Sequence, residues 1–303
     1  MVTGATGFLG SHLCRLLCRS DADVHAISRN PQTAHDRLHW WQGDLSDFVT
    51  TRALLHKIEP EVIFHLTAHA WGARGVDLVR PTLQSDLVAT VNLLTAASEL
   101  KLQRVILTGS LEEPQSGNPE VVPSSPYAAA KWASGAYARM FHQLYGTPAV
   151  IVRIFMTYGP GQPEKKLIPY TIFSLLNGEA PELSDGRRLI DWIYVDDVIE
   201  GLLAAAQAPG LEGSTIDVGS GKLLAIREVI EDLVKLVRPE IRPLFGAAPS
   251  RPMEPVRAAD IKSTYERIGW KPATSWQKGL ELTVDWYTRR FMDRQRKARE
   301  QTV

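Results

Sequence analysis

Tyr127 and Lys131 stand four residues apart in Tyr127-Ala128-Ala129-Ala130-Lys131, a run of small residues that suits a helix. Positions i and i+4 share one helical face, so the phenol and the ammonium are expected side by side. A free phenol titrates at about 10, and an adjacent cation favours the phenolate. Such a phenol can take a proton from a carbinol, or return it, as hydride passes to or from a nicotinamide. Ser125-Pro126 supplies a helix start just ahead of the pair. Upstream, Val105-Ile106-Leu107-Thr108-Gly109-Ser110 reads as a strand that ends on a hydroxyl. Ligands of open α/β sheets bind beyond the carboxyl ends of the strands. Ser110 is therefore expected to hydrogen-bond the reacting oxygen together with Tyr127. The Tyr-x-x-x-Lys spacing alone is common, and a surface tyrosine on a helix would carry the same letters. Its place after this strand, and after a glycine-rich turn, gives it weight.

That turn is Thr3-Gly4-Ala5-Thr6-Gly7-Phe8-Leu9-Gly10, which opens the helical run Ser11 to Arg19. Gly4 would allow the tight turn, Gly7 the close approach of a pyrophosphate, and Gly10 the packing of helix on strand. The helix N-terminus then offers free N–H groups and a positive dipole end to phosphates. Thr6, Phe8 and Leu9, between the glycines, are placed against the same ligand. The spacing Gly-x-x-Gly-x-x-Gly is similar to that of the short-chain dehydrogenase/reductase superfamily. Only three residues precede Gly4. The first strand is expected to be short, or the natural chain to begin a few residues earlier.

The elements that must carry these groups alternate. Apolar runs at 24–28, 62–66, 105–108 and 149–153 read as strands covered on both faces. Helical patterns at 11–19, 51–58, 80–100 and 127–145 lie between them. This rhythm predicts an α/β fold, a doubly wound parallel (Rossmann) sheet. After Gly159 the prolines multiply and the rhythm loosens. One helix is expected over 167–177, a strand-helix unit over 192–206, a last strand at 216–218, and a long amphipathic helix from Trp276. The expected division is a dinucleotide-binding domain of residues 1–160 and 187–222, with a smaller, mostly C-terminal substrate lobe of 161–186 and 223–303.

The bulk numbers narrow the classes. Apolar residues make up 44% and charged residues 22%, an ordinary globular balance. Lys plus Arg equals Asp plus Glu at 34 each, so no net field draws the chain to nucleic acid or an anionic membrane. No stretch is apolar enough for a membrane span. Cys14 and Cys18, one turn apart, make no disulfide framework and lack partners for a metal site. Buried thiols in a reducing cytoplasm are the expected reading. The basic run Arg294 to Arg299 reads as a solvated, fraying helix end.

At the end of the second strand a carboxylate would bond the ribose 2′-hydroxyl, whereas an arginine would pair with a 2′-phosphate. The chain has Ser28-Arg29-Asn30 there and no acid. NADP is thus favoured over NAD by Arg29, the alternative being an arginine that stacks on adenine or points to solvent.

With these motifs in hand, the whole chain resembles the extended short-chain dehydrogenase/reductases, the NAD(P)-dependent epimerase/dehydratase family acting on nucleotide sugars. His65-Leu66-Thr67-Ala68 resembles its H-L-A-A, Tyr158-Gly159-Pro160 its Y-G-P turn, and Lys166-Leu167-Ile168-Pro169 its K-L-I-P. Asp191-Trp192-Ile193-Tyr194-Val195-Asp196-Asp197 and Gly269-Trp270-Lys271-Pro272 resemble two further family runs. The resemblance implies a nucleoside-diphosphate sugar as partner, held between sheet and lobe. It implies oxidation at the sugar 4-hydroxyl by Ser110, Tyr127 and Lys131. Asp44 and Leu45 would hold the adenine edge, and Leu66, Thr67, Ala68 and Thr108 would line the cofactor. Arg251 matches the family arginine that reaches the diphosphate, and Lys166, Arg187 and Arg188 are further anion contacts. A homodimer built on the helices 80–100 and 127–145 is also implied, although the alanines of the second helix would serve packing on the sheet equally well.

Some positions depart from the family pattern. Thr-Asp-Glu of the 4,6-dehydratases is Ser110-Leu111-Glu112 here. Glu112 could still remove a proton beside a ketone, but Leu111 cannot donate one. The family Asn before Y-G-P is Met156, the Arg before D-W is Ile190, and the Asn on the fourth helix is Asp86. A partly re-formed sugar or diphosphate subsite is expected. The expected function is a nucleotide-sugar epimerase or 4,6-dehydratase. The alternatives are an NADPH-dependent 4-keto-sugar reductase, favoured by Arg29 and Leu111, and a non-catalytic dinucleotide sensor, disfavoured by the retained Ser110, Tyr127 and Lys131.

Overall fold

The computed structural model describes residues 1–33, 37–69, 73–114, 121–251 and 253–300. The first half runs β1 (Val2–Thr3), α1 (Phe8–Leu17), β2 (Val24–Ser28), β3 (Leu38–Gln42), α2 (Phe48–Ile58) and β4 (Val62–His65). A continuous helical stretch follows: α3 (Val79–Thr82), a wider π-type stretch over Leu83–Val88, and α4 (Ala89–Ala97). Then come β5 (Arg104–Ser110), α5 (Pro126–Tyr145) and β6 (Ala149–Ile154). The second half runs β7 (Met156–Tyr158), α6 (Leu167–Leu176), β8 (Glu182–Leu183), β9 (Leu189–Tyr194), α7 (Val195–Gln207), β10 (Thr215–Val218), β11 (Leu223–Ala225), α8 (Ile226–Val237), β12 (Leu244–Phe245), α9 (Ile261–Ile268) and α10 (Trp276–Glu300).

Seven strands form one parallel sheet in the order β3-β2-β1-β4-β5-β6-β10. The order reverses between β1 and β4, so the crevice for a ligand opens at the carboxyl ends of these two strands. The apolar runs are continuous because successive side chains feed two different cores. On β5, Ile106 joins one core while Val105 and Leu107 join the other. On β6, Val150 and Val152 pack on the first side and Ala149 and Ile151 on the second. At about 25 cal/mol per Å² of apolar surface removed from water, this two-sided burial drives the central strands inward. Strand β1 has two residues, the short first strand that the position of Gly4 predicts.

A third core belongs to the second half. Ile168, Ile172 and Leu175 of α6 meet Ile190 and Trp192 of β9, Val229 and Leu233 of α8, and Leu280 and Tyr287 of α10. Small sheets β11-β9-β7 and β12-β8 edge this lobe. The basic end of α10, residues 294–299, is exposed, as its letters suggest. Arg290 and Arg294 both reach Glu164, the latter with a 3.0 Å hydrogen bond. Among the described residues no helix is long and apolar enough to cross a membrane.

Candidate active site

Helix α5 is positioned at its first turn. Ser125 caps it by accepting the Ala128 N–H at 3.1 Å, and Pro126 occupies the position where a missing N–H costs nothing. The next turn brings Lys131 under the end of β5. Lys131 is 3% exposed, and its ammonium donates to the Thr108 carbonyl at 2.9 Å and to Thr108 Oγ1 at 3.0 Å. The Ser110 side chain lies near enough to the Tyr127 phenol to favour its ionised form, and Lys131 Nζ lies 6.0 Å from the Tyr127 ring centre. Ser110 Oγ also accepts the Glu112 N–H at 3.2 Å. The structure thus brings Ser110, Tyr127 and Lys131 together beside Thr108.

The expected ionisation is corrected. Burial pushes the Tyr127 phenol up, and Glu112, Asp86 and Glu113 push it the same way; the Ser110 side chain pulls it down. The Lys131 ammonium donates to Thr108 rather than to the phenol. Burial lowers the lysine too, opposed by Asp86 and Glu113. Desolvation here outweighs the pair interaction that i, i+4 spacing suggests.

The glycine turn forms a close-packed cradle. Gly4 has φ +65°, and a Cβ there would stand 2.8 Å from the Leu66 carbonyl carbon. A Cβ on Gly10 would stand 2.2 Å from the Gly4 oxygen. Gly7 begins α1 with no side-chain cap, which leaves the first N–H groups for an anion. A hydroxyl–imidazole network stiffens the floor. Thr3 Oγ1 lies 2.8 Å from His65 Nδ1, Thr67 Oγ1 donates to Thr3 Oγ1 at 3.0 Å, and Thr90 Oγ1 lies 3.0 Å from His65 Nε2. Burial, then Lys131, lowers His65 to about 3, so the ring is neutral. Leu66, Thr67 and Ala68 are half-buried, Thr6 is exposed, and Phe8 and Leu9 pack partly into the cores. At the far end Ser28 is buried and Arg29 exposed. Asp44 accepts the Ser46 N–H and hydroxyl at 2.9 Å each, beside buried Leu45. The donors and the Cβ-free surface fit a dinucleotide: phosphates on the turn, adenosine toward Arg29 and Asp44.

Beyond Glu112 lies a cavity of about 680 Å³ lined by Glu112, Lys166, Arg187, Arg188, Arg251 and Glu254. All four expected anion contacts reach it. Arg187 and Arg251 are exposed, while Arg188 is held deeper by an ion pair with Glu254. Arg188 Nε and Nη2, and Trp192 Nε1, are buried without a hydrogen-bond partner among the described residues. Burial raises Glu112 and Glu254 adds to that, while Arg188 and Lys166 oppose it. Ser125 Oγ donates to Glu112 at 3.4 Å. Leu111 points instead into the sheet core. Ile190, where the family pattern has arginine, is buried in the lobe core, and Arg188 precedes it by two residues.

Three residues escaped sequence reasoning. Glu113 is 5% exposed and accepts the Ser110 N–H at 2.6 Å, yet beside Glu112 it reads as an ordinary surface acid. Glu254 and Trp192 were visible only as letters of motifs. Their partners come from distant segments, and no local signal marks that.

The family model for the "NAD dependent epimerase/dehydratase family" matches residues 1–219. A dTDP-glucose 4,6-dehydratase of Neisseria meningitidis serogroup B is 27% identical over 95% of this chain and 92% of its own. A UDP-glucose 4-epimerase of Mycolicibacterium smegmatis is 30% identical over 95% of this chain and 97% of its own. Among solved structures, the UDP-glucuronic acid 4-epimerase of Bacillus cereus, in complex with UDP-glucuronic acid and NAD, superposes with a TM-score of 0.84. It is 26% identical, with 95% of this chain and 98% of that chain covered.

Proposed function

The chain belongs to the NAD-dependent epimerase/dehydratase family, and from that premise we propose an NAD(P)-dependent enzyme that transiently oxidises the 4-position of a nucleoside-diphosphate sugar, as an epimerase or a 4,6-dehydratase. The single observation that carries it is the convergence of Ser110, Tyr127 and buried Lys131 at the end of β5, next to the acid- and arginine-lined cavity.

The residues divide the work. Bound NAD(P) would supply the hydride acceptor for the sugar carbon. With the positively charged nicotinamide of bound NAD(P) beside it favouring the phenolate over the protonated form that burial favours in its absence, Tyr127 would take the proton of the 4-hydroxyl and return it, while Ser110 holds the same oxygen. Lys131, anchored on Thr108, faces the ribose. Arg188, Lys166, Arg187 and Arg251 meet the diphosphate, for which a guanidinium fork is well shaped. Arg188 thereby stands in for the arginine that Ile190 replaces. Glu112 removes the proton beside the 4-ketone if the outcome is elimination. Leu111, in the core, supplies no acid at its position to protonate a leaving hydroxyl, which weighs against elimination. The 4-keto-sugar reductase alternative draws no support from the relatives described above.

Finer parts of this reading are proposals of the same kind. NADP is preferred over NAD because no carboxylate follows β2 and Arg29 does. Residues 1–160 and 187–222 serve the dinucleotide, and 161–186 and 223–303 the sugar nucleotide. A second copy of the chain docks on the exposed face of α5. The free thiols Cys14 and Cys18 suit a cytoplasmic location.

The decisive experiment uses Tyr127→Phe. With UDP-glucose and dTDP-glucose offered to the purified protein and NAD(P), turnover is expected to fall by roughly 10²-fold or more. Dinucleotide affinity, read by titration, should stay near the parent value. A variant that turns over like the parent overturns the assignment.

A further inference from the structure

Ser110 is the last residue of β5, where the strand's own hydrogen bonds run out. Glu113 holds its backbone. Glu113 Oε1 accepts the Ser110 N–H at 2.6 Å while the Glu113 N–H donates to the Ser110 carbonyl at 3.1 Å. A Cβ on Gly109 would stand 2.6 Å from Glu113 Oε1, so the glycine leaves the space that this carboxylate fills. A carboxylate 5% exposed needs a counter-charge. Arg153 gives it, with Nε 3.7 Å from Glu113 Oε2 and Nη1 2.7 Å from Asp217 Oδ1. Asp217 in turn meets Arg257 Nη2 at 3.7 Å and accepts the Asp260 N–H at 3.3 Å. Strand register sets the row: Gly109 lies opposite Arg153, and Arg153 opposite Asp217.

We propose that Glu113 is a positioning residue for Ser110, and that the alternating series Glu113–Arg153–Asp217–Arg257 couples the seat of Ser110 to the 254–260 segment. That segment includes Glu254 and Val256, which line the cavity next to the site, and Arg257, which ends the series. The middle link is short and the two outer links are long, so a small displacement of the segment can tighten or loosen the row. Ligand contact at the cavity wall thereby bears on the hydroxyl that holds the reacting oxygen. The role in turnover rests on the C4-oxidation reading; the coupling itself does not.

Two measurements separate these. In steady-state kinetics with the sugar nucleotide that the parent turns over, Glu113→Ala should lower kcat roughly tenfold to a hundredfold, the scale of a lost charge-assisted hydrogen bond, with KM within about twofold. Glu113→Gln keeps an oxygen for the Ser110 N–H and should stay within about threefold of the parent. Arg257→Met should lower kcat, and its combination with Glu113→Ala should cost little beyond the larger single loss. In hydrogen exchange read by mass spectrometry, Arg257→Met should speed exchange in residues 108–114, far from it in sequence. This readout needs no substrate and no variant at Glu113, so it stands even if Glu113→Ala does not fold or the parent turns over neither sugar. Unchanged exchange at 108–114 in Arg257→Met overturns the coupling. A parent-like kcat in Glu113→Ala, or additive losses in the double variant, overturns the positioning role.

Discussion

Tyr127 and Glu112 are two acids whose proton affinities are set by what surrounds them. Glu112 acts as a base only when ionised, and burial together with Glu254 raises its pKa. The acid limb of kcat/KM for any step that uses it should therefore lie above the ordinary carboxylate range, with activity lost as pH falls through it. Glu254→Gln removes the negative neighbour and leaves Arg188 without its carboxylate partner. Both effects lower Glu112, so the limb should move to lower pH by up to about one unit. A pH–rate profile with an unmoved limb would sink this account. Arg29 offers the second test. If it pairs with a 2′-phosphate, Arg29→Ala should weaken NADP roughly tenfold to a hundredfold and leave NAD within about twofold, by calorimetric titration. Equal changes for both dinucleotides would return Arg29 to the solvent. Ser110, Tyr127, Lys131 and Arg29 were legible as letters because each motif is local. Glu113 and Glu254 were not, since their meaning lies in contacts to Ser110 and Arg188.

The glycine turn is the element on which dinucleotide binding depends. Between Gly10 and the Gly4 oxygen both sides are backbone, so neither can rotate away from an added methyl. Gly10→Ala is expected to cost about 1–3 kcal/mol of stability through overpacking and to abolish measurable dinucleotide binding. Thermal denaturation and a binding titration check it; a variant that binds like the parent would show that the turn is looser than described. The strands β2, β4, β5 and β6 were readable because burial on both faces writes a continuous apolar run. Strands β7, β8, β11 and β12 have two or three residues each and exist through their partners, so no periodicity could announce them. The π-type stretch over Leu83–Val88, which buries Asp86, likewise left no mark in a helical pattern.

At the scale of the molecule, α5 shows two faces. Ala128, Ala130 and Ala138 are buried against the body of the fold, which accounts for these small residues without a second copy. The opposite face exposes Trp132 and Tyr137, and the neighbouring helical stretch exposes Val79 and Leu83. An apolar surface of this kind favours self-association. Sedimentation at micromolar concentration should give a dimer for the parent and a monomer for Trp132→Arg; a monomeric parent would refute the docking of a second copy. The sequence by itself determined the doubly wound sheet, the glycine turn ahead of α1 and the grouping of the serine, tyrosine and lysine. Those follow from periodicity and from spacings within one turn or one helix, where geometry is fixed by the backbone. Only the tertiary structure shows that burial pushes the phenol up, that Lys131 donates to Thr108, that Arg188 pairs with Glu254 at the cavity while Ile190 lies in the core, and that Glu113 accepts the Ser110 N–H. Each of these depends on desolvation and on charges brought together from distant parts of the chain, and neither quantity is a property of neighbouring letters.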